Sequence, residues 1–175
     1  MKTAVEQLST YKSVHLNRSN VKTHFVGVPM IVWALMVLMS LVQLPLKIPT
    51  TEISLTLAMV FFVGVVIYYA ILNLSLASGL IIFFTPILYS AHLLSFTEYA
   101  SWVAIGVFII GWILQFIGHH FEKAKPAFVD DLNQLLIGPL FVIAEIFFIF
   151  GALKKLDEEI TPIAIEKRRA FETSQ

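Results

Sequence analysis

Cysteine is absent from the 175 residues, so the chain has no disulfide, no thiolate metal site and no cysteine nucleophile. Any metal must be held by His, Asp or Glu. Charge is also scarce: Asp, Glu, Lys and Arg make up 14% of the chain, against about 25% in a soluble domain. Twelve basic and twelve acidic residues cancel, which leaves no basic surface to neutralise phosphates and argues against a nucleic-acid partner. Missing too are a Gly-rich phosphate loop, a G-x-S-x-G nucleophile elbow and an H-E-x-x-H motif. The H-x-x-x-H and H-x-x-H-H boxes of membrane di-iron desaturases are likewise not found. What the chain has is apolar surface. Hydrophobic residues reach 58%, with fifteen Phe, three Trp and five Tyr, and the mean hydropathy is +0.82. A core of this size cannot hide so many, so the chain is expected to meet lipid.

Apolar stretches lie at roughly 25–44, 53–74, 77–94, 99–118 and 134–153. Each is long enough to cross a hydrocarbon layer of about 30 Å as a helix. Polar or helix-stopping residues divide them: Pro45, Lys47 and Pro49; Asn73 and Ser75; Ser95, Thr97 and Glu98; then the polar run Glu122 to Asp131. The first 24 residues are polar and too long a lead for a signal peptide. Within them Ala4, Leu8, Tyr11 and His15 form one helical stripe, suited to lying on a membrane surface. Asn17, Ser19 and Asn20 read as a turn and helix cap. The chain is thus expected to be an all-α, polytopic membrane protein with four to five transmembrane helices and an N-terminal interfacial helix. It forms a single integral membrane domain over 1–175, with an interfacial segment 1–24, a bundle over about 25–153 and a polar tail 154–175.

Lys and Arg set the expected topology. The N-terminal segment carries four, the fourth loop carries Lys123 and Lys125, and the second and third loops carry none. Four spans before residue 119 put the N-terminus and the fourth loop on one face, expected to be cytoplasmic. A full fifth span would carry the five basic residues of the tail to the far side, so 134–153 is expected to be re-entrant or packed within the bundle.

The same count sorts the histidines. His15, His24, His119 and His120 converge on one membrane boundary, and His92 falls on the opposite face. Neutral imidazole is a common ligand of iron, zinc and copper, so the four are candidate metal ligands. His15 and His24 are nine residues apart and can share an ion only if the chain bends between them. Glu122 shares a helical face with His119 at i, i+3. Glu145 stands in an apolar run, where a carboxylate is expensive and normally paired or functional. Glu122, Asp130 and Glu145 are the candidate catalytic carboxylates, with Asn20, Gln115 and Gln134 as residues that orient the ligands. Asp131 could also hold a metal or a histidine.

Two motif blocks carry a resemblance. The first is Tyr11-x3-His15-x-Asn17-x2-Asn20-x3-His24-x2-Gly27-x-Pro29. The second runs from Trp112-x2-Gln115-Phe-Ile-Gly118-His119 through Phe121-Glu122-Lys123, Lys125-Pro126-Ala127, Asp130 and Gln134 to Gly138-Pro139, Phe141-Val142 and Glu145. Together they resemble the membrane 2-hydroxy-fatty-acid dioxygenases, a family known from the metabolism of phytosphingosine to odd-chain fatty acids. The resemblance implies an Fe(II)-dependent enzyme that shortens 2-hydroxy acyl chains by one carbon with dioxygen, using His15, His24 and His119. It implies a 2-hydroxy fatty acid, dioxygen and the lipid bilayer as partners, in a bacterial inner membrane or the endoplasmic reticulum. Two other readings stand beside it: a proton-coupled transporter built on Glu145, His92 and Asn73, and a haem protein with bis-His ligation.

Overall fold

A computed structural model of the chain describes residues 2–47 and 54–173; Pro49, named above, and the first position of the 53–74 stretch lie outside them, as do Ser174 and Gln175. The described residues are almost all helical, joined by one two-stranded antiparallel ribbon. In order they form α1 (Ala4–Lys12), α2 (Arg18–Ser40), β1 (Gln43–Lys47), β2 (Ser54–Thr56), α3 (Leu57–Leu72), α4 (Leu74–Leu94), α5 (Ala100–Glu122), a short 3₁₀ turn (Ala127–Val129), α6 (Gln134–Ile149) and α7 (Lys154–Thr173). Three of them, α2, α4 and α5, are long and apolar enough to cross a membrane; α3 and α6 are shorter apolar helices. Among the described residues three helices meet that length and hydropathy, against the four to five spans expected. The first stretch stops at Ser40 because the chain turns into β1, and the second starts four residues late because β2 precedes it.

The contacts divide the chain into two compact units, residues 1–28 with 113–175, and residues 29–112. The second unit is built for close helix packing. Its core holds Ala34, Ala58, Ala91, Ala100 and Ala104 together with Met36 and Val37, and small residues are what let apolar helices approach in lipid. Asn73 ends α3 and caps α4, its Oδ1 accepting from the Leu76 amide at 3.1 Å. Ile67, Ile82, Trp102 and Ile109 are each more than half exposed, an outward apolar surface that water would penalise.

The first unit is held differently. Thr3 and Glu6 make a reciprocal capping box that starts α1. The stripe foreseen on α1 exists, with Ala4, Leu8, Tyr11 and His15 all buried, but protein covers it: α1 packs against α6 and α7. The stretch 134–153 becomes α6, whose residues Ile137 and Leu140 to Ala144 are buried, in line with a segment packed inside the protein. The expected polar tail is instead the helix α7, which buries Ile160 and Ala164 and sets Lys167 Nζ on Ser9 Oγ (3.0 Å) and Thr10 Oγ1 (2.7 Å) of α1. Its apolar residues recur only once per turn among charges, which is why average hydropathy hides them.

Lys12 pins the three helices. Its Nζ reaches Glu145 Oε1 and Asp157 Oδ1, both at 2.9 Å, and lies over the Phe148 ring at 5.2 Å. Burial works against the charge of Asp157, but the bonds from Lys12 and Thr161 outweigh it and hold that carboxyl below its ordinary range. Glu145 is therefore an ion-pair partner, as an acid in an apolar segment requires. Lys12→Ala strands two carboxylates beside each other and should lower stability by about 2 kcal/mol. Thermal unfolding in detergent micelles measures this directly.

Candidate metal centre

Three histidines meet inside the first unit. His15, in the turn before α2, His24 on α2 and His119 on α5 are all buried, and each offers one ring nitrogen within 4.8 Å of the other two. The bend that spacing demanded lies at residues 13–17, where the chain leaves α1 and enters α2. His120 is not brought to the group: it is exposed, and its ring stands by Phe121, one residue around the helix from His119. A pair of adjacent helical residues points about 100° apart, and α5 continues to Glu122 without the break that joint ligation needed. His92 is on α4 in the other unit, against Phe96, and is not a member.

Backbone bonds fix which nitrogen each ring presents. His15 Nδ1 lies 2.6 Å from the Tyr11 carbonyl and His24 Nδ1 lies 2.9 Å from the Asn20 carbonyl. A carbonyl only accepts, so both Nδ1 atoms carry hydrogen and both Nε2 atoms turn a lone pair inward. Those two Nε2 atoms are 2.9 Å apart. Two lone pairs at that distance repel unless a cation joins them. A proton is one candidate, but burial first, and then the neighbouring His24 and His119 rings, push the proton affinity of His15 well below its ordinary value. A metal ion is the other. Nδ1 of His119 is buried with no hydrogen-bond partner, as befits a nitrogen whose partner is a metal. The donor set fits a divalent ion held by imidazole.

The surrounding residues hold this geometry. The Tyr11 ring stacks on His15 at 4.1 Å and 3°, and Phe141 of α6 backs both rings. The carboxylate of Glu122 accepts from the amides of Leu16 (3.1 Å) and Asn17 (2.8 Å) and from Asn20 Nδ2 (3.2 Å). Glu122 thus ties the His15 turn to α5, while Asn17 Oδ1 accepts from the Ser19 amide at 2.8 Å to cap α2; Glu122 does not face the histidines with a free oxygen. Gly118 lets α5 approach α2: a Cβ there would overlap Thr23 Oγ1 and Asn20 Oδ1 and lie 3.4 Å from Asn20 Cα. Gln115, one turn before His119, is buried with an unpartnered Nε2. Gln134 donates to Gln7 Oε1 at 2.9 Å, bracing α6 on α1. Asp130 is exposed and paired with Lys125 at 2.6 Å, and Asp131 is paired with Lys2 at 2.8 Å, so both acids sit in the loop surface. Neither Glu145 nor Asp130 joins the histidine group.

Gly118→Ala should force α5 off α2, cost about 1–3 kcal/mol and abolish stoichiometric metal uptake, measured by thermal melts and metal analysis of the same preparation. His15 stays neutral when folded and takes a proton when unfolded. The stability of the metal-free protein is therefore full above about pH 6.5 and should decline as pH falls below it, which melts at pH 7.5 and 5.5 will register.

Comparison with known proteins covers most of the chain. Residues 1–149 match the family described as Mpo1-like, 2-hydroxy-palmitic acid dioxygenase Mpo1-like. The chain is 32% identical over 154 residues to a Saccharomyces cerevisiae protein named 2-hydroxy-palmitic acid dioxygenase MPO1, covering 86% of this chain and 83% of the yeast protein. No solved structure matches. With the family match running unbroken from α1 to the end of α6, through all three clustered histidines, the chain belongs to the Mpo1-like 2-hydroxy-palmitic acid dioxygenase family.

Proposed function

We propose that this chain is an Fe(II)-dependent membrane dioxygenase that shortens 2-hydroxy fatty acids by one carbon. The observation that carries the reading is the pair of inward Nε2 atoms of His15 and His24, 2.9 Å apart, beside the unpartnered Nδ1 of His119. The yeast relative supports the substrate class by its name. Imidazole suits iron as well as zinc, and the lack of cysteine removes the soft ligands that would favour zinc strongly. Fe(II), when bound, supplies the one-electron chemistry that lets dioxygen react with a closed-shell carbon.

The chain's own residues do the rest. Three neutral imidazoles leave a divalent charge uncompensated, so the site favours an anion that offers two oxygens, as a 2-hydroxy carboxylate does. The Tyr11 and Asn20 carbonyls keep the two Nδ1 protons in place, and so keep His15 and His24 as ligands rather than acids. Gln115 offers a buried donor on the His119 face of α5, suited to a substrate oxygen. Ile113, Phe116 and Ile117 expose apolar surface on that helix, where an acyl tail can lie within the bilayer. The balance is one 2-hydroxy acid and one dioxygen giving the acid one carbon shorter, carbon dioxide and water.

Bis-His haem ligation fits poorly. Two nitrogens on opposite sides of one iron stand about 4 Å apart, well beyond the observed 2.9 Å. The transporter reading loses its main support, because Glu145 is engaged in an ion pair with Lys12 at 2.9 Å. The test is protein purified without oxygen, loaded with Fe(II) and given 2-hydroxyhexadecanoic acid and dioxygen. We expect pentadecanoic acid and carbon dioxide in equal amounts, with none from His15→Ala or His119→Ala. Iron-loaded protein that consumes neither substrate nor dioxygen would overturn the assignment.

A further inference from the structure

Glu122 carries a negative charge that is almost wholly enclosed, its side chain 4% exposed. Its three hydrogen bonds end on Leu16, next to His15, on Asn17, and on Asn20, whose carbonyl orients His24; His119 is one turn before it on α5. One carboxylate therefore touches every segment that bears a clustered histidine. A buried charge needs a counter-charge, and Arg168 of α7 provides it. Arg168 Nη2 donates to the Glu122 carbonyl at 3.0 Å, and Nη1, buried with no hydrogen bond of its own, stands 3.8 Å from Glu122 Oε1. Nε is fixed by Glu172, one turn along, at 2.6 Å. The helix that carries this guanidinium starts at Lys154, beyond the last residue of the family match.

We propose that Arg168 is a positioning residue of the metal centre: through Glu122 it sets how tightly His15, His24 and His119 hold a divalent cation. The inference rests on the metal reading above and adds α7 to it. The guanidinium engages both the backbone and the side chain of Glu122, at the C-terminus of α5, where a cation is also favoured by the helix dipole. Without it, Glu122 keeps its burial and loses its counter-charge, so the carboxylate withdraws toward water and the His15 turn loses its anchor. A lysine restores charge but not the two-pronged contact. α7 has other anchors, among them Lys167 on Ser9 and Thr10, which do not touch Glu122.

The experiment titrates full-length protein in detergent micelles with Co(II), reading the affinity by chelator competition and the ligand set by the visible absorption of bound Co(II). Thermal melts are recorded on each variant. Arg168→Ala should weaken Co(II) about 10-fold and alter the absorption band, and Arg168→Lys should recover part of both. Lys167→Ala should lower the melting temperature while leaving affinity within about twofold. Wild-type affinity and spectrum in folded Arg168→Ala would overturn the proposal. So would an equal loss in Lys167→Ala, since α7 would then act only as a scaffold. Wild-type protein that takes up no Co(II) overturns the metal reading itself, and this role with it.

Discussion

Two imidazole nitrogens with their lone pairs turned toward each other form an arrangement that only a shared cation makes comfortable. Everything near His15 and His24 enforces it. The Tyr11 and Asn20 carbonyls deny the rings their other tautomer, the Tyr11 and Phe141 rings deny them rotation, and burial denies His15 a proton. In the proposed reading a divalent ion relieves that repulsion, which couples its binding to the fold. The backbone approach at Gly118 and the bonds of Glu122 to the His15 turn exist on the same terms: they keep α2 and α5 where the third ring completes the set.

The two units are held together by different means. Residues 29–112 rely on alanine-lined contacts and leave large side chains facing outward. Residues 1–28 and 113–175 rely on polar and ionic bonds, Lys12 with Glu145 and Asp157, Gln7 with Gln134, Arg168 with Glu122. Charges in low dielectric are costly alone and strong when paired, so the polar network specifies a single arrangement. The chemistry-bearing residues all fall in the unit held this way.

Much of the site was legible before any coordinates. Charge counting brought His15, His24 and His119 to one boundary and set His92 apart, and helical spacing put Glu122 on the His119 face. Its partners were not legible, because Leu16 and Asn17 bind through backbone amides that no side-chain pattern announces. Glu145 was recognised as needing a partner, but Lys12 lies 133 positions away and nothing local connects them. His120 was a candidate ligand beside His119 only if the helix ended there, and α5 continues without a break to Glu122. The helix α7 was read as a tail because its charges dominate the average. Leu156, Ile160 and Ala164 recur at every fourth position, a signal that periodicity carries and hydropathy does not.

The ligands' places along the chain fix an order of events during synthesis. His15 and His24 emerge early, and His119 follows about a hundred residues later. At ~5–20 residues per second the ribosome leaves the first pair waiting about 5–20 s for the third ring, and longer for α7. During that interval the His15–His24 pair lacks its third ring, and Glu122, once made, still waits for Arg168. The three-ring group is therefore complete only after α5 has been made, and its Arg168 contact only after α7, so a partly made chain offers at most two of the three rings.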